Sequence, residues 1–500
     1  MAIPMLRVAS AGGANRLAAS RLPAQFAAPF TRPPVLMTGG SGVSDFHSIV
    51  MTPTTVEIAP GLATPTWAYN GVSPGPTIIT RRGRPSVIRQ ANQLPGSHPQ
   101  LGYEPWTSVH LHGSESLPQY DGYASDITRP GQYKDYRYPN TQQARTMWYH
   151  DHGVMHTGPN VYMGLAGQYW VLDDLEQSLP IPHGRYDVPL IVQDVMLHSD
   201  GTRLWPNLEL DDSGAYGDII LVNGQPWPTM KVERRKYRFR MLNASVSRSY
   251  RWRLDSGEAF TVIATDGGLM PTPQRVRQFR HGVAERYEVV IDFAKYPIGR
   301  RVILENLSNN NNLDFATTRV AMAFDVTSES TSSANNSVPA ILNPNEPTMA
   351  LPESQSSVTR QFTLRRDNSR WTINGKSWED VVRSGFKFTL ANPQPGAVET
   401  WVISNPHGGW HHPLHIHLID FKILSRNGNP AMAHERGPKD VVFVGENETV
   451  RLLMEFMPHH RGKYMMHCHN LVHEDHDMMG QFQVGSGGDD PITADPAVWS

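Results

Sequence analysis

The chain has a single cysteine, Cys468, in 500 residues. One thiol excludes an intramolecular disulfide, so cross-links add nothing to stability, and a disulfide-free chain fits any redox compartment. Net charge is also scarce: 45 Lys and Arg against 47 Asp and Glu give a formal −2. No basic patch points to nucleic acid, and no charge block reads as an interaction tail. No apolar run approaches the roughly 18 residues a membrane span requires. Residues 1–44 lack Asp and Glu but carry Arg7, Ser10, Arg16, Ser20 and Arg21. That composition is similar to a targeting peptide, yet an apolar h-region and a twin-arginine pair are missing, so an N-terminal arm, disordered or strapped down, is expected. The sequence assigns no cellular compartment.

The three-to-four apolar periodicity of a long helix is absent as well; short helices are expected only near Gln142–Arg145 and Trp378–Arg383. Glycine and proline are plentiful, 41 and 40 residues, and turn signals recur closely. This predicts an all-β chain of many short strands. Its length exceeds one ordinary core, so roughly two to four domains are expected.

The cysteine lies in His467-Cys468-His469, with His473 five residues on and Met478 ten residues on. One thiolate, two imidazoles and a long thioether form the ligand set of a blue-copper electron-transfer site. The second imidazole must come from elsewhere, and Trp410-His411-His412-Pro413-Leu414-His415-Ile416-His417 can supply it. On an extended segment neighbours point to opposite faces, so His467 and His469 face away from Cys468 toward a second site. A lone buried cysteine with unrelated histidines would be the bland alternative. Further histidine pairs weigh against it: His110-Leu111-His112 and His150-Asp151-His152 each place two imidazoles on one face of a strand.

Taken in order, His110–Gly113, Trp148–His152, His412–His417 and His467–Met478 resemble the multicopper oxidases. Tyr69-Asn70-Gly71, Val222–Pro228, Lys236–Arg240 and Ala284–Val289 are most similar to the bilirubin oxidase and bacterial spore-coat laccase branch. The resemblance covers roughly residues 45–485. It implies an all-β fold of three cupredoxin-like Greek-key β-sandwich domains. It also implies four copper ions (one type 1, one type 2 and one type 3 pair) and oxidation of a small-molecule donor coupled to reduction of O2 to water. By position, the type 1 site takes His412, Cys468, His473 and the axial Met478. His110 and His415 correspond to the ligands of the type 2 copper, and His112, His150, His152, His417, His467 and His469 to those of the type 3 pair. Glu474 and Asp121 match acidic positions near the O2 channels, expected to act as general acids. A thioether at the axial position implies a low-to-middle potential.

The expected organisation is an arm (1–44), a first domain with cluster ligands (45–175), a second domain without copper (176–327), a Ser-, Asn- and Pro-rich linker (328–360), a third domain with blue and cluster ligands (361–485), and a loose tail (486–500). A monomer is expected. His156, His459 and His460 are read as histidines of the surface or of the surroundings of the ligands, His411 and His476 as neighbours of the blue site, Met465, Met466 and Met479 as core, and Trp410 as either a lining of the donor entrance or an ordinary packed tryptophan. Donor pockets are expected from the loops 305–318, 405–411 and 426–438. The expected donors are phenols, aminophenols or tetrapyrroles. Two alternatives stand beside this reading: oxidation of Cu(I), Mn(II) or Fe(II), and a copper-binding coat or sequestration protein. Against metal oxidation, the chain has no Met-rich insert and no acidic docking cluster.

Overall fold

A computed structural model describes residues 16–37, 44–205, 213–310, 312–367, 369–492 and, as backbone, 497–498. Among these residues the structure is built of strands, and no helix exceeds six residues. Turn chemistry sets the rhythm. Asn223 and Gly224, both at positive φ, close the hairpin between Ile219–Val222 and Gln225–Pro226, as a two-residue primed turn requires.

The strands form six sheets, packed as three pairs. In the first pair, β1 (Val109–His112) lies at one edge of a five-stranded sheet beside β2 (Arg145–Asp151). The middle pair has seven and five strands, and the five-stranded sheet ends in β3 (Tyr250–Leu254) and β4 (Gln278–His281). The last pair has five and four strands, and the smaller sheet holds β5 (His412–Ile416) against β6 (Gly462–Cys468). Each pair encloses its own apolar core, built around Trp67 and Tyr149, Phe239 and Trp252, and Trp401 and Phe482 in turn. Leu471 and Val472, on α1 (Leu471–Asp475) just after β6, pack into the middle core and tie the last pair to it.

The helix expected at Trp378–Arg383 forms, started by Ser377 in a capping box with Asp380. The one expected at Gln142–Arg145 does not. Arg145 opens β2 instead, with its backbone paired to Val171 and its guanidinium bound to Asp420 at 2.8 and 2.9 Å. The tail is not loose throughout, because Ala497 and Val498 pair with Tyr133 and Gln132 at a sheet edge. The described part of the arm is strapped down: Leu17 enters the middle core, Arg16 meets Asp218 at 2.6 Å, and Val35–Met37 pairs with Thr77–Ile79. Residues 1–15 and 38–43 lie outside the described residues. The polar stretch after residue 328 is pinned by the buried Arg235, which donates to the carbonyls of Ser332, Ala334 and Asn335.

Candidate metal centre

At the end of β6, Cys468 Sγ lies 3.5 Å from His412 Nδ1 and 3.6 Å from His473 Nδ1, and the two nitrogens are 3.2 Å apart. β5 brings His412 to the site, and α1 brings His473. Asn470 caps α1 by accepting from Val472 N, which fixes the turn that returns His473 toward Cys468. Trp371 stacks on His473 with centroids 3.8 Å apart, and the His473 Nε2 proton points to the Ser213 carbonyl at 3.1 Å. Met478 is fully buried in the core that holds Cys468, and its carbonyl accepts from Cys468 N at 3.0 Å. Burial pushes the Cys468 thiol far up, so a thiolate there needs a cation beside it.

The other eight histidines meet behind this site. Register explains part of the meeting: His110 faces His150 across β1 and β2, and His415 faces His467 across β5 and β6. His110 Nε2 is 3.4 Å from His415 Nε2, and His467 Nε2 is 3.0 Å from His152 Nε2 and 3.2 Å from His417 Nε2. His112 stacks on His415 at 3.7 Å, and His469 lies 5.1 and 5.2 Å, ring to ring, from His112 and His150. All eight are buried.

The free nitrogens test whether a metal fits. A ligating histidine fixes one ring nitrogen with a hydrogen bond and turns the other to the metal. The Nδ1 atoms of His110, His150 and His415 lie 2.5, 2.7 and 2.9 Å from the carbonyls of Asp121, Asp151 and Asp440. His417 Nδ1 donates to Asp121 Oδ2 at 2.7 Å. His112 does the reverse: its Nε2 meets Asp440 Oδ1 at 3.1 Å and its buried Nδ1 has no partner. His150 Nε2 and both nitrogens of His469 are likewise orphaned. Orphaned buried nitrogens are costly unless something binds them. Burial holds His112, His150, His415, His417 and His469 well below the ordinary imidazole range, so they are neutral donors with lone pairs available. The residues fit soft and intermediate metal ions of the copper kind.

Two carboxylates accompany the cluster. Glu474, the residue after His473, puts Oε2 3.0 Å from His467 Nδ1 and Oε1 3.7 Å from His152 Nδ1. Burial raises its pKa, but the His467 and His152 charges outweigh burial, so the group lies below its ordinary value. Asp121 is engaged by His417, as above. Asp440 is a residue the sequence reading missed. Its carboxylate is gripped by Arg286 at 2.7 and 2.5 Å, which makes it an orienting partner of His112 rather than a free ligand. Arg286 also donates to the Thr146 carbonyl, so one guanidinium joins all three sheet pairs. No local motif marks this trio, because Arg286 and Asp440 stand 154 residues apart. Asp440→Asn is expected to destabilise the metal-free protein by roughly 3 kcal/mol, since it removes the carboxylate that grips Arg286 and leaves only the more distant Asp266, at 3.7 Å, as its counter-charge. The midpoint of denaturant unfolding would check this.

The remaining residues fall outside both clusters. His156 sits between Tyr103 and Trp106 at 4.0 and 4.3 Å. His459 is exposed and His460 is buried beside it. His476 Nδ1 bonds the Val472 carbonyl at 2.6 Å, and Trp410 packs edge-on against Trp371. Met465, Met466 and Met479 are buried in apolar clusters.

Three stretches of the chain, 50–176, 187–328 and 343–488, match multicopper oxidase domain profiles. The chain is 41% identical to a bilirubin oxidase of Albifimbria verrucaria over 457 residues, spanning 88% of this chain and 76% of that protein. It is 33% identical to a laccase of Bacillus subtilis over 471 residues, spanning 84% and 90%. Among solved structures it is similar to the multicopper oxidase McoA of Aquifex aeolicus, with a TM-score of 0.81 and 30% identity, over 92% of this chain and 99% of that one.

Proposed function

The chain belongs to the multicopper oxidase family, and from that premise we propose that it is a laccase- or bilirubin oxidase-like enzyme holding four copper ions. Its donors are phenols, aminophenols or tetrapyrroles, and its acceptor is O2. His412, Cys468, His473 and Met478 would hold the type 1 ion, and His110 with His415 the type 2 ion. His112, His150, His152, His417, His467 and His469 would hold the type 3 pair. The copper-bearing units would be 45–175 and 361–485, with 176–327 between them, in a monomer.

When bound, the copper ions take electrons one at a time from the donor and deliver four to O2, which leaves as two waters. The chain's own residues do the rest. His473 is held by the Ser213 carbonyl at its outer ring nitrogen, with its Nδ1 turned to Cys468. Cys468 joins that site to His467 and His469 through its own backbone, with no intervening residue. The observation that carries the proposal is this adjacency: a thiol within 3.6 Å of two imidazole nitrogens, flanked by two histidines that enter the eight-histidine cluster.

Making two waters consumes four protons. Glu474, buried at 3.0 Å from His467 Nδ1 and 3.7 Å from His152 Nδ1, is placed to relay protons from water inward to the cluster. Asp121 orients His417 and offers a second carboxylate beside the cluster. Glu474→Gln is expected to slow O2 turnover by about 10²-fold while the blue absorption persists; unchanged turnover would remove Glu474 from the path. The whole proposal is tested by O2 uptake from copper-loaded protein with a neutral phenol and with bilirubin. Full copper loading without uptake from either donor would point to sequestration instead.

A further inference from the structure

The loops 305–318, 405–411 and 426–438 meet around one cleft of about 760 Å³, lined among others by Asn309, His411, Asn427, Met432 and His434. That is enough room for a mid-sized organic molecule. One wall is made by β3 and β4, where Arg251 stands directly opposite Arg280. Like charges facing each other across a strand pair destabilise a sheet. Neither is compensated in the usual way. Arg251 has no ion pair among the described residues, and its buried Nε has no partner. Arg280 Nη2 is buried without a hydrogen bond. Its nearest carboxylate, Glu435 at 3.9 Å, is already held by Arg426 at 2.6 and 2.8 Å. Of the acids on the lining, Glu448 is likewise taken by Arg426, which leaves Glu446.

The cleft also has an aromatic wall. The Arg280 guanidinium lies 3.7 Å over the Phe443 ring, and Phe443 stacks on His411 at 4.8 Å with planes 13° apart. His411 is 2% exposed, and the Ser247 backbone is the one polar neighbour of its ring nitrogens among the described residues, too poorly aligned for a full hydrogen bond. His434 Nε2, on the same lining, is also orphaned. Unpartnered buried donors gathered around a roomy cavity mark a place for a polar ligand.

We propose that this cleft selects aromatic donors that carry a carboxylate, phenolic acids being the simplest class. The carboxylate bridges Arg251 and Arg280, replacing their mutual repulsion with charge-assisted hydrogen bonds. The ring lies along Phe443 and His411, one peptide bond from His412. The inference rests on the reading of His412 as part of the electron-accepting site, since only then is a molecule bound here a donor.

The test separates binding from turnover. 4-Methoxycinnamate has the shape of a phenolic acid but no oxidisable hydroxyl, and its methyl ester has no charge. Calorimetric titration of copper-loaded protein should show the anion binding at least about tenfold tighter than the ester. Arg251→Gln and Arg280→Gln should each bring that ratio toward one. Arg253→Gln, on the same face of β3 but paired with Glu305 outside the cleft, should keep it. The ratio of KM for a phenolic acid to KM for its ester should shift in parallel. Equal binding of anion and ester by the unaltered protein would overturn the inference, as would a ratio insensitive to both cleft variants. Lack of turnover with every donor would instead strike the oxidase reading and leave the binding ratio standing.

Discussion

Cys468→Ser protein is expected to be colourless, to retain three copper ions rather than four, and to oxidise phenols at least about 10³-fold more slowly, equivalent to some 4 kcal/mol of barrier. A serine oxygen fills the space of the sulfur but is a hard, protonated ligand, whereas a thiolate is soft and polarisable. The buried thiol would lose its proton, released to solvent, only when a cation binds between His412 and His473, so the sulfur and the metal depend on each other. Donor oxidation would then lose its route, because Cys468 is bonded directly to His467 and His469 while its sulfur contacts both His412 and His473. Five of the eight histidines behind the site, His110, His112, His150, His415 and His417, keep their anchors at Asp121, Asp151 and Asp440, which is why three ions should remain. Metal analysis, the visible spectrum and turnover check the three parts separately. A blue serine variant, or one with full activity, would mean that electrons enter elsewhere.

The second large effect is on stability in mild acid. Five buried histidines outside the metal clusters are held low by burial: His98 and His434 at about 4, and His156, His281 and His460 at about 3. Three of them accept a hydrogen bond on a ring nitrogen, which only the neutral form can do. His98 Nδ1 accepts from the amides of Gln100 and Leu101, His460 Nδ1 from Met457, and His281 Nδ1 from the Trp252 indole at 3.0 Å. An unfolded histidine protonates near 6.5, so below that pH the unfolded chain binds more protons than the folded one. Stability is therefore complete above about pH 6.5 and is lost as pH falls toward 4 and 3. Each group contributes about 1.4 kcal/mol per pH unit. By pH 5 the five together would cost about 10 kcal/mol, as much as the whole stability of an ordinary domain. Copper-free protein should accordingly show a denaturant midpoint that is level from pH 8 to 7 and falls steeply below 6.5. A midpoint that stayed level down to pH 5 would contradict this.

Much of the fold and the metal centre could be read from the chain because their determinants are local. A strand of alternating His-x-His declares its face in three letters, and Asn223-Gly224 declares its turn in two. Gln142–Arg145 misled because glutamine, alanine and arginine favour helix in isolation, whereas Arg145 is committed to Asp420, 275 residues away. The same distance effect hid Asp440 and Arg286, whose partnership exists only once the sheets have packed. The Arg251–Arg280 pair was invisible for another reason: arginines 29 residues apart look like ordinary surface charge until strand register sets them face to face. The loops that line the cleft were anticipated as a group, but their charge pattern was not.

His110 and His415 touch across 305 positions of sequence, and His467 and His469, the last of the converging histidines, come later still. The first sheet pair supplies His110, His112, His150 and His152, and the last supplies His415, His417, His467 and His469, so neither holds more than half the cluster. Metal affinity is thereby tied to the docking of two sandwiches rather than to the folding of either one.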